Sequence, residues 1–157
     1  LAHNKIKNLP PGVLKLEQLQ ELYLDDNLVE LLPKNAERLA SLEKLSFAGN
    51  RLDDVPKSFK NLENLTHLYL SDNKISQLPP QIGALKNVVF LDLSDNQIKQ
   101  LPDEISGMKS LREINLWNNK LTAIPVSAFE KLDNLESIGL GNPDIILPMS
   151  LSEIQRY

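Results

Sequence analysis

The side chains that could do chemistry are few and widely spaced in this sequence of 157 residues. It has no cysteine, and its two histidines, His3 and His67, stand 64 residues apart. That spacing is a poor start for a metal site built from histidine and thiolate ligands. We find no nucleophile beside a candidate base and no phosphate-binding loop. The sequence therefore predicts no cofactor and no catalytic centre, and we expect that the chain is not an enzyme.

Three carboxylates, on Asp72, Asp92 and Asp95, are the best candidates for a calcium site. They lack the dense spacing of oxygen ligands that a dedicated calcium loop has, so we expect no metal there. His67 stands among aromatic residues and could make a pH-sensitive contact, although a single exposed histidine is more often only solvated. These side chains favour recognition over catalysis.

The charge balance argues against two classes of partner. Seventeen basic and 21 acidic residues give a net charge of −4, whereas nucleic-acid binding needs a basic surface. No apolar run approaches the roughly 20 residues that cross a bilayer, and the chain does not open on a basic and then apolar leader. We expect neither a nucleic-acid partner nor insertion into a membrane.

A repeat of 23 residues determines where the side chains stand. Asparagine recurs at this interval, and proline follows each asparagine by six residues. Before the asparagine, apolar residues keep the frame LxxLxLxxN, as at Leu65, Leu68, Leu70 and Asn73. Because Leu68 and Leu70 are two residues apart, each repeat is predicted to contribute one short strand with one buried face. The asparagines are Asn4, Asn27, Asn50, Asn73, Asn96, Asn119 and Asn142.

The second half of each repeat predicts a tight return to the next strand. Apolar residues there keep three-residue steps, as at Ile82, Leu85 and Val88, which favours a 3₁₀ or single helical turn after the proline. One repeat cannot bury its own leucines, so neighbours must stack. We expect an α/β fold: a curved solenoid with a parallel concave sheet and 3₁₀ or short helical segments on the convex side. The asparagines should bond backbone groups at the turn after each strand.

The frame breaks near the C-terminus. The apolar positions move by one near Ser127, which puts Asn142 in doubt as a member of the asparagine series. Tyr157 falls where the first buried residue of a further strand would stand. We expect residues 1–157 to form a single solenoid of about six to seven repeats. The sequence begins and ends inside a repeat, whereas such an array needs polar caps, so we expect the solenoid to be truncated or uncapped at both ends.

The motif LxxLxLxxNxL is the signature of leucine-rich repeats, and the sequence resembles that family over its whole length. The LPxxIxxLxxL half that begins at Leu78 is similar to that of a subgroup with 23-residue repeats. That subgroup includes Ras-pathway scaffolds, proteins of the Scribble and Erbin type, and plant and bacterial proteins. The repeat with Ile124, Pro125 and Phe129 is similar to a 24-residue form common in secreted members. The resemblance implies a horseshoe whose concave sheet binds other proteins.

Aromatic residues are concentrated at the outward strand positions. Five strands supply 15 such positions, and these hold four of the eight aromatic residues. Large rings on an uncovered sheet face favour an anchor patch for a partner. The alternative is that the rings only pair across strands. The residues predicted to contact a partner are Tyr23, Asp25, His67, Tyr69, Phe90, Asp92, Asn115 and Trp117.

Acidic residues are concentrated on the same face. With the positions that flank each strand included, 25 positions hold eight acids and two bases, Lys44 and Arg112. This excess favours a protein or peptide partner with basic character. The alternative is a solvated acidic face on which Asp26, Asp72 and Asp95 cap the turns.

The leading hypothesis is a noncatalytic scaffold, of the kind used in signalling, that binds a protein or peptide on its concave face. Two alternatives stay open: a sensor or autoinhibitory segment of a larger kinase, GTPase or ubiquitin ligase, and a secreted or surface adhesion protein. The cysteine-rich caps typical of secreted animal members are absent, which favours the cytoplasm without deciding it. The oligomeric state is open as well.

Overall fold

The computed structural model describes residues 1–32, 35–151 and 153–157, and this part of the chain forms one parallel sheet of seven strands in chain order. Neighbouring strands pair in register, so that His67 lies opposite Phe90 and Leu68 opposite Leu91. The prediction of one short parallel strand per repeat is confirmed. The strands are β1 (Glu21–Tyr23), β2 (Lys44–Ser46), β3 (His67–Tyr69), β4 (Phe90–Asp92), β5 (Glu113–Asn115), β6 (Ser137–Gly139) and β7 (Gln155–Arg156).

Short 3₁₀ turns return the chain from one strand to the next. At Pro10, Pro56, Pro79 and Pro102 the proline carbonyl accepts a hydrogen bond from the N–H three residues later, as from Ile82 to Pro79 at 3.0 Å. This i to i+3 spacing defines a 3₁₀ turn, and the predicted three-residue steps are confirmed. The turns are Pro11–Lys15, Ala36–Leu39, Lys57–Asn61, Pro80–Ala84, Asp103–Gly107 and Met149–Leu151.

The repeat with the extra residue forms an α-helical turn instead, α1 (Val126–Phe129). Here the N–H of Phe129 donates to the carbonyl of Pro125 at 3.1 Å, four residues back. The insertion predicted near Ser127 is thus absorbed on the convex side, and Ser137 of β6 still pairs with Glu113 of β5. No helix in the described ranges has the length and hydrophobicity to span a membrane.

The leucines of the repeat frame form one continuous core. Leu68 and Leu70 are fully buried, whereas Tyr69 between them is partly exposed on the opposite face of the sheet. Removal of this apolar surface from water is the main favourable contribution to folding. The predicted alternation is confirmed in β1, β3, β4 and β5, and it sets which side chains face outward; in β2 and β6 the residue after the buried apolar one is buried as well.

The asparagine series links neighbouring repeats. The side-chain Oδ1 of Asn73 accepts from the N–H of Leu52 at 2.9 Å, and its Nδ2 donates to the carbonyl of Phe47 at 2.9 Å, both in the preceding repeat. Nδ2 also bonds the carbonyls of Leu70 and Ser71 at its own turn. The predicted structural role is confirmed and extends to the contact between repeats. The same pattern occurs at Asn27, Asn50, Asn96 and Asn119.

Asn142 departs from this pattern, as its doubtful place in the frame indicated. Its Nδ2 donates to the carbonyl of Leu121 at 3.2 Å, and its Oδ1 accepts from the N–H of Asp144 at 2.9 Å. The shortened turn before it, at Leu140 and Gly141, moves the amide away from the groups that the other asparagines bond.

The residue before each asparagine has a left-handed backbone. These residues have φ between 50° and 64°. Glycine adopts this conformation freely, and aspartate and asparagine tolerate it better than other residues. The aspartates in this set therefore have a structural role, since they adopt the left-handed backbone of the turn whether or not they contact a partner. The set is His3, Asp26, Gly49, Asp72, Asp95, Asn118 and Gly141.

The expectation for Tyr157 is wrong. In a regular repeat the strand begins five positions after the last apolar residue of the turn, as Phe90 does after Leu85. Strand β7 instead begins one position after Ile154, the residue equivalent to Leu85. The last strand therefore forms four residues early. Tyr157 follows it at the level of Gly139, and its side chain lies over that glycine on the outward face of the sheet.

Close packing of neighbouring 3₁₀ turns leaves no room for a side chain at Gly83. A Cβ placed there would lie 1.9 Å from the carbonyl oxygen of Glu104, whereas one at Gly12 would meet nothing within 4 Å. We expect Gly83→Ala to lower the free energy of unfolding by about 1–3 kcal/mol, because two backbone segments must separate. Gly12→Ala is the matched control, expected to be nearly neutral. Urea unfolding followed by circular dichroism measures both, and equal stability would contradict the prediction.

Candidate functional site

The outward side chains of the strands form three rows that cross the sheet. We call this surface the open face. The first row runs through Glu21, Lys44, His67, Phe90 and Glu113, and the second through Tyr23, Ser46, Tyr69, Asp92 and Asn115. The third row follows two residues further along each strand and contains Asp25, Ala48, Ser71, Ser94 and Trp117. All eight residues predicted to contact a partner thus lie on one surface.

Three of these residues form an aromatic cluster: His67, Tyr69 and Phe90. The ring centroids of Tyr69 and Phe90 are 5.2 Å apart, and the His67 ring lies 6.3 Å from Tyr69 and 6.2 Å from Phe90. All three side chains are partly exposed. The cluster arises because β3 and β4 pair in register, which places Tyr69 diagonally across from Phe90.

The two predicted aspartate contacts are held by hydrogen bonds within the sheet. Asp92 Oδ1 accepts from the N–H of Ser94 at 3.0 Å and from its hydroxyl at 2.7 Å. Asp25 Oδ1 accepts from the hydroxyl of Ser46 and from the N–H of Ala48 at 3.1 Å. Ser46 and Ser94, which belong to the rows of the open face, are therefore buried beside carboxylates. Asp92 lies opposite Tyr69, at the edge of the aromatic cluster.

Trp117 is separate from the aromatic cluster. It stands on the third row, is 52% exposed, and packs beside Gly141, where a Cβ would lie 2.8 Å from its Cδ1. With Pro143 it lines a pocket of about 350 Å³ next to the loop after β6. Asn115 supports this arrangement, because its Oδ1 accepts from the N–H of Trp117 at 3.1 Å. The aromatic cluster and Trp117 therefore form two groups rather than one patch.

Charges are paired at the β1 end of the open face. The Lys44 ammonium lies 2.9 Å from Glu21, and the hydroxyl of Tyr23 donates to Glu21 at 3.2 Å. The hydrogen bond from Lys44, and then that from Tyr23, lowers the pKa of Glu21. The same bond to Glu21 raises the pKa of Lys44. Tyr23, at this end, therefore lies beside a paired carboxylate, two strands from the aromatic cluster.

A contact that the repeat frame missed joins Tyr157 to Glu113. The phenol donates to Glu113 Oε1 at 2.8 Å, across β6. Burial raises the pKa of Tyr157 to about 12, with further contributions from the hydrogen bond and charge of Glu113. No signal in the sequence indicated this contact, because the repeat frame placed Tyr157 in the core.

The raised pKa of Tyr157 predicts loss of stability in alkaline solution. Because its pKa lies above the ordinary value of 10.0, its contribution is fully present below pH 10 and is lost as the pH rises through about 12. Spectrophotometric titration of phenolate should resolve a late midpoint that disappears in Tyr157→Phe and moves to lower pH in Glu113→Gln. A midpoint unchanged by Glu113→Gln would contradict the contact.

The open face offers rings and carboxylates for contact with a partner. Over residues 1–32, 35–151 and 153–157, no group of three histidine, aspartate or glutamate side chains could hold a metal ion. The face presents aromatic side chains at β3 and β4 with acidic groups beside them, a combination that suits noncovalent recognition.

Comparison with known families agrees with this geometry. A model described as leucine-rich repeat region matches residues 52–144, and another described as leucine rich repeat matches residues 1–52. The chain belongs to the leucine-rich repeat family. Leucine-rich repeat domains generally mediate protein interactions and are typically noncatalytic.

This leucine-rich repeat chain is similar to a bacterial protein of known structure. The structure of the Leptospira interrogans leucine-rich repeat protein LIC12759 is similar to it, with a TM-score of 0.92 and 34% sequence identity. The match covers 100% of this chain and 41% of that protein. A comparison with curated proteins gave no match.

Proposed function

We propose that residues 1–157 act as a single noncatalytic solenoid that binds a protein or peptide on the open face. The aromatic cluster of His67, Tyr69 and Phe90 carries this proposal. Rings at the centre of an exposed sheet bring large apolar area to an interface at a small cost in side-chain entropy. Pairing between the rings accounts for their contact with each other, but it does not require that they stay on an uncovered surface.

The repeat type supports a role as a scaffold in signalling. The 23-residue unit and its LPxxIxxLxxL half, which begins at Leu78, resemble those of Ras-pathway scaffolds and of Scribble- and Erbin-type proteins. In such a role the solenoid holds a partner, and any chemistry belongs to the proteins it brings together. The two groups on the open face, the aromatic cluster and Trp117, would then contact separate parts of one partner.

The proposal is tested by selecting peptides from a random library displayed on phage. Wild-type protein is the only target of the selection, and the affinity of each selected peptide is then measured for the wild type and for the double variant Tyr69→Ser, Phe90→Ser. Selected peptides should bind the double variant at least tenfold more weakly, about 1.4 kcal/mol of binding free energy. The matched control is Ile146→Ser with Met149→Ser, since these apolar side chains are 84% and 91% exposed and lie outside the open face.

Two readouts decide the outcome. Amide chemical shifts of the wild-type protein should change on β3 and β4 when a selected peptide is added. Thermal unfolding should be similar for both double variants, because neither removes a fully buried side chain. Peptides that bind the Tyr69→Ser, Phe90→Ser variant as tightly as the wild type would contradict the proposal.

A further inference from the structure

Two carboxylates border the aromatic cluster on one side. Glu113 lies opposite Phe90 on the next strand, and Asp92 follows Phe90 by two residues on the same face of β4. Asp92 also lies opposite Tyr69. Neighbouring strands are about 4.8 Å apart and residues two apart on one strand about 6.6 Å, so the backbones of Glu113 and Asp92 lie within one side-chain length of Phe90.

The basic residues near this position bond other groups. Lys44 pairs with Glu21 at 2.9 Å, and Arg112 pairs with Glu136 at 2.9 Å. The guanidinium of Arg156 donates to the carbonyl of Ile145 at 2.6 Å and to that of Asn142. In the described part of the chain, the ion pairs leave Asp92 and Glu113 without a basic partner.

The negative charges of Asp92 and Glu113 both act on the phenol of Tyr157. Tyr157 bonds Glu113, and the charges of both Glu113 and Asp92 contribute to the raised pKa of its phenol. The 25 positions on and beside the first five strands carry a net charge of −6, while the whole chain carries −4. The electrostatic field therefore favours a cation next to the rings.

We propose that the aromatic cluster, together with Asp92 and Glu113, binds an arginine side chain of the partner. A guanidinium can stack on an aromatic face while its planar edge donates to carboxylates, a combination that the compact ammonium of lysine does not offer. The rings of Tyr69 and Phe90 contact the stem and face of the arginine, and the two carboxylates bind its N–H groups. This inference rests on the proposed function, since it names the chemistry of the partner at the same surface.

The test uses peptides selected on the wild-type protein as described above. Each arginine is replaced by citrulline, which keeps the shape and removes the charge, and separately by lysine. On the protein, Asp92→Asn with Glu113→Gln removes both charges but retains acceptors for Ser94 and Tyr157. The matched control, Asp103→Asn with Glu104→Gln, removes two charges from an exposed convex turn.

We expect the citrulline peptide and the Asp92→Asn, Glu113→Gln variant each to weaken binding at least tenfold, and the lysine peptide to bind several-fold more weakly. The convex control should change affinity less than twofold, and wild-type affinity should fall as salt increases. Equal binding of arginine and citrulline peptides, or of wild type and the site variant, overturns the inference. Loss of binding in Tyr69→Ser, Phe90→Ser would still support the proposed function, so the two failures are distinguishable.

Discussion

Leu70→Ala is expected to lower the free energy of unfolding by about 2–5 kcal/mol. Leu70 is fully buried, and its equivalents Phe47 and Leu93 occupy the same position in the repeats on either side. A cavity at this point is bounded by Phe47 and Leu93 of the neighbouring repeats as well as by the sheet above it, so the surrounding structure cannot collapse into it. For a chain of this size, the loss corresponds to a fall in Tm of roughly 10 °C.

Guanidinium unfolding followed by far-ultraviolet circular dichroism measures this loss. Leu16→Ala is the matched control, since it removes the same atoms from a side chain that is 51% exposed. Its effect should stay near 0.5 kcal/mol or below, as for ordinary surface substitutions. Comparable destabilisation by the two variants would mean that Leu70 is not part of a shared core.

Asn73→Leu is expected to cost about 2–4 kcal/mol, although it exchanges a polar side chain for an apolar one of similar size. The amide supplies the acceptor for the buried N–H of Leu52, and no part of a leucine side chain can replace it. Three donated hydrogen bonds are lost as well, including the one to Phe47 in the preceding repeat. The substitution therefore weakens the contact between two repeats as well as one turn.

The control for Asn73→Leu is a substitution at another asparagine of the repeat, Asn4. Asn4→Leu removes an amide that donates to the carbonyls of Leu1 and Ala2 in an exposed position. Its loss should be a small fraction of that for Asn73→Leu in the same unfolding experiment. Native-state hydrogen exchange adds a local readout, because the amide of Leu52 should exchange faster in Asn73→Leu. Unchanged protection at Leu52 would argue against the assigned role.

Most of the fold follows from the repeat because burial acts in the same way on every unit. The two-residue spacing of Leu68 and Leu70 determines which face of a strand is buried, and that alone puts Tyr69 on the other face. The constant length of 23 residues then keeps neighbouring strands in register. The aromatic cluster was predictable for this reason, since register and alternation together place Tyr69 diagonal to Phe90.

Other features depend on contacts between units that the repeat pattern does not encode. Tyr157 reaches Glu113 only because the last turn leads directly into β7, and the spacing of apolar residues gave no sign of that shortcut. Ser46 is buried because a neighbouring aspartate covers it. Trp117 packs beside Gly141 because the repeat after it is shifted by one residue.

The asparagine amides have a practical consequence for dividing the molecule. The amides of Asn27, Asn50, Asn73, Asn96 and Asn119 each bond backbone groups of the preceding repeat, so a repeat is complete only with the asparagine of the repeat that follows it. A fragment ending just before Asn96 would leave the N–H of Ile75 without its acceptor, even with every residue of that unit present. Shortened versions should therefore extend through the asparagine of the following unit, and grafted units should carry it with them.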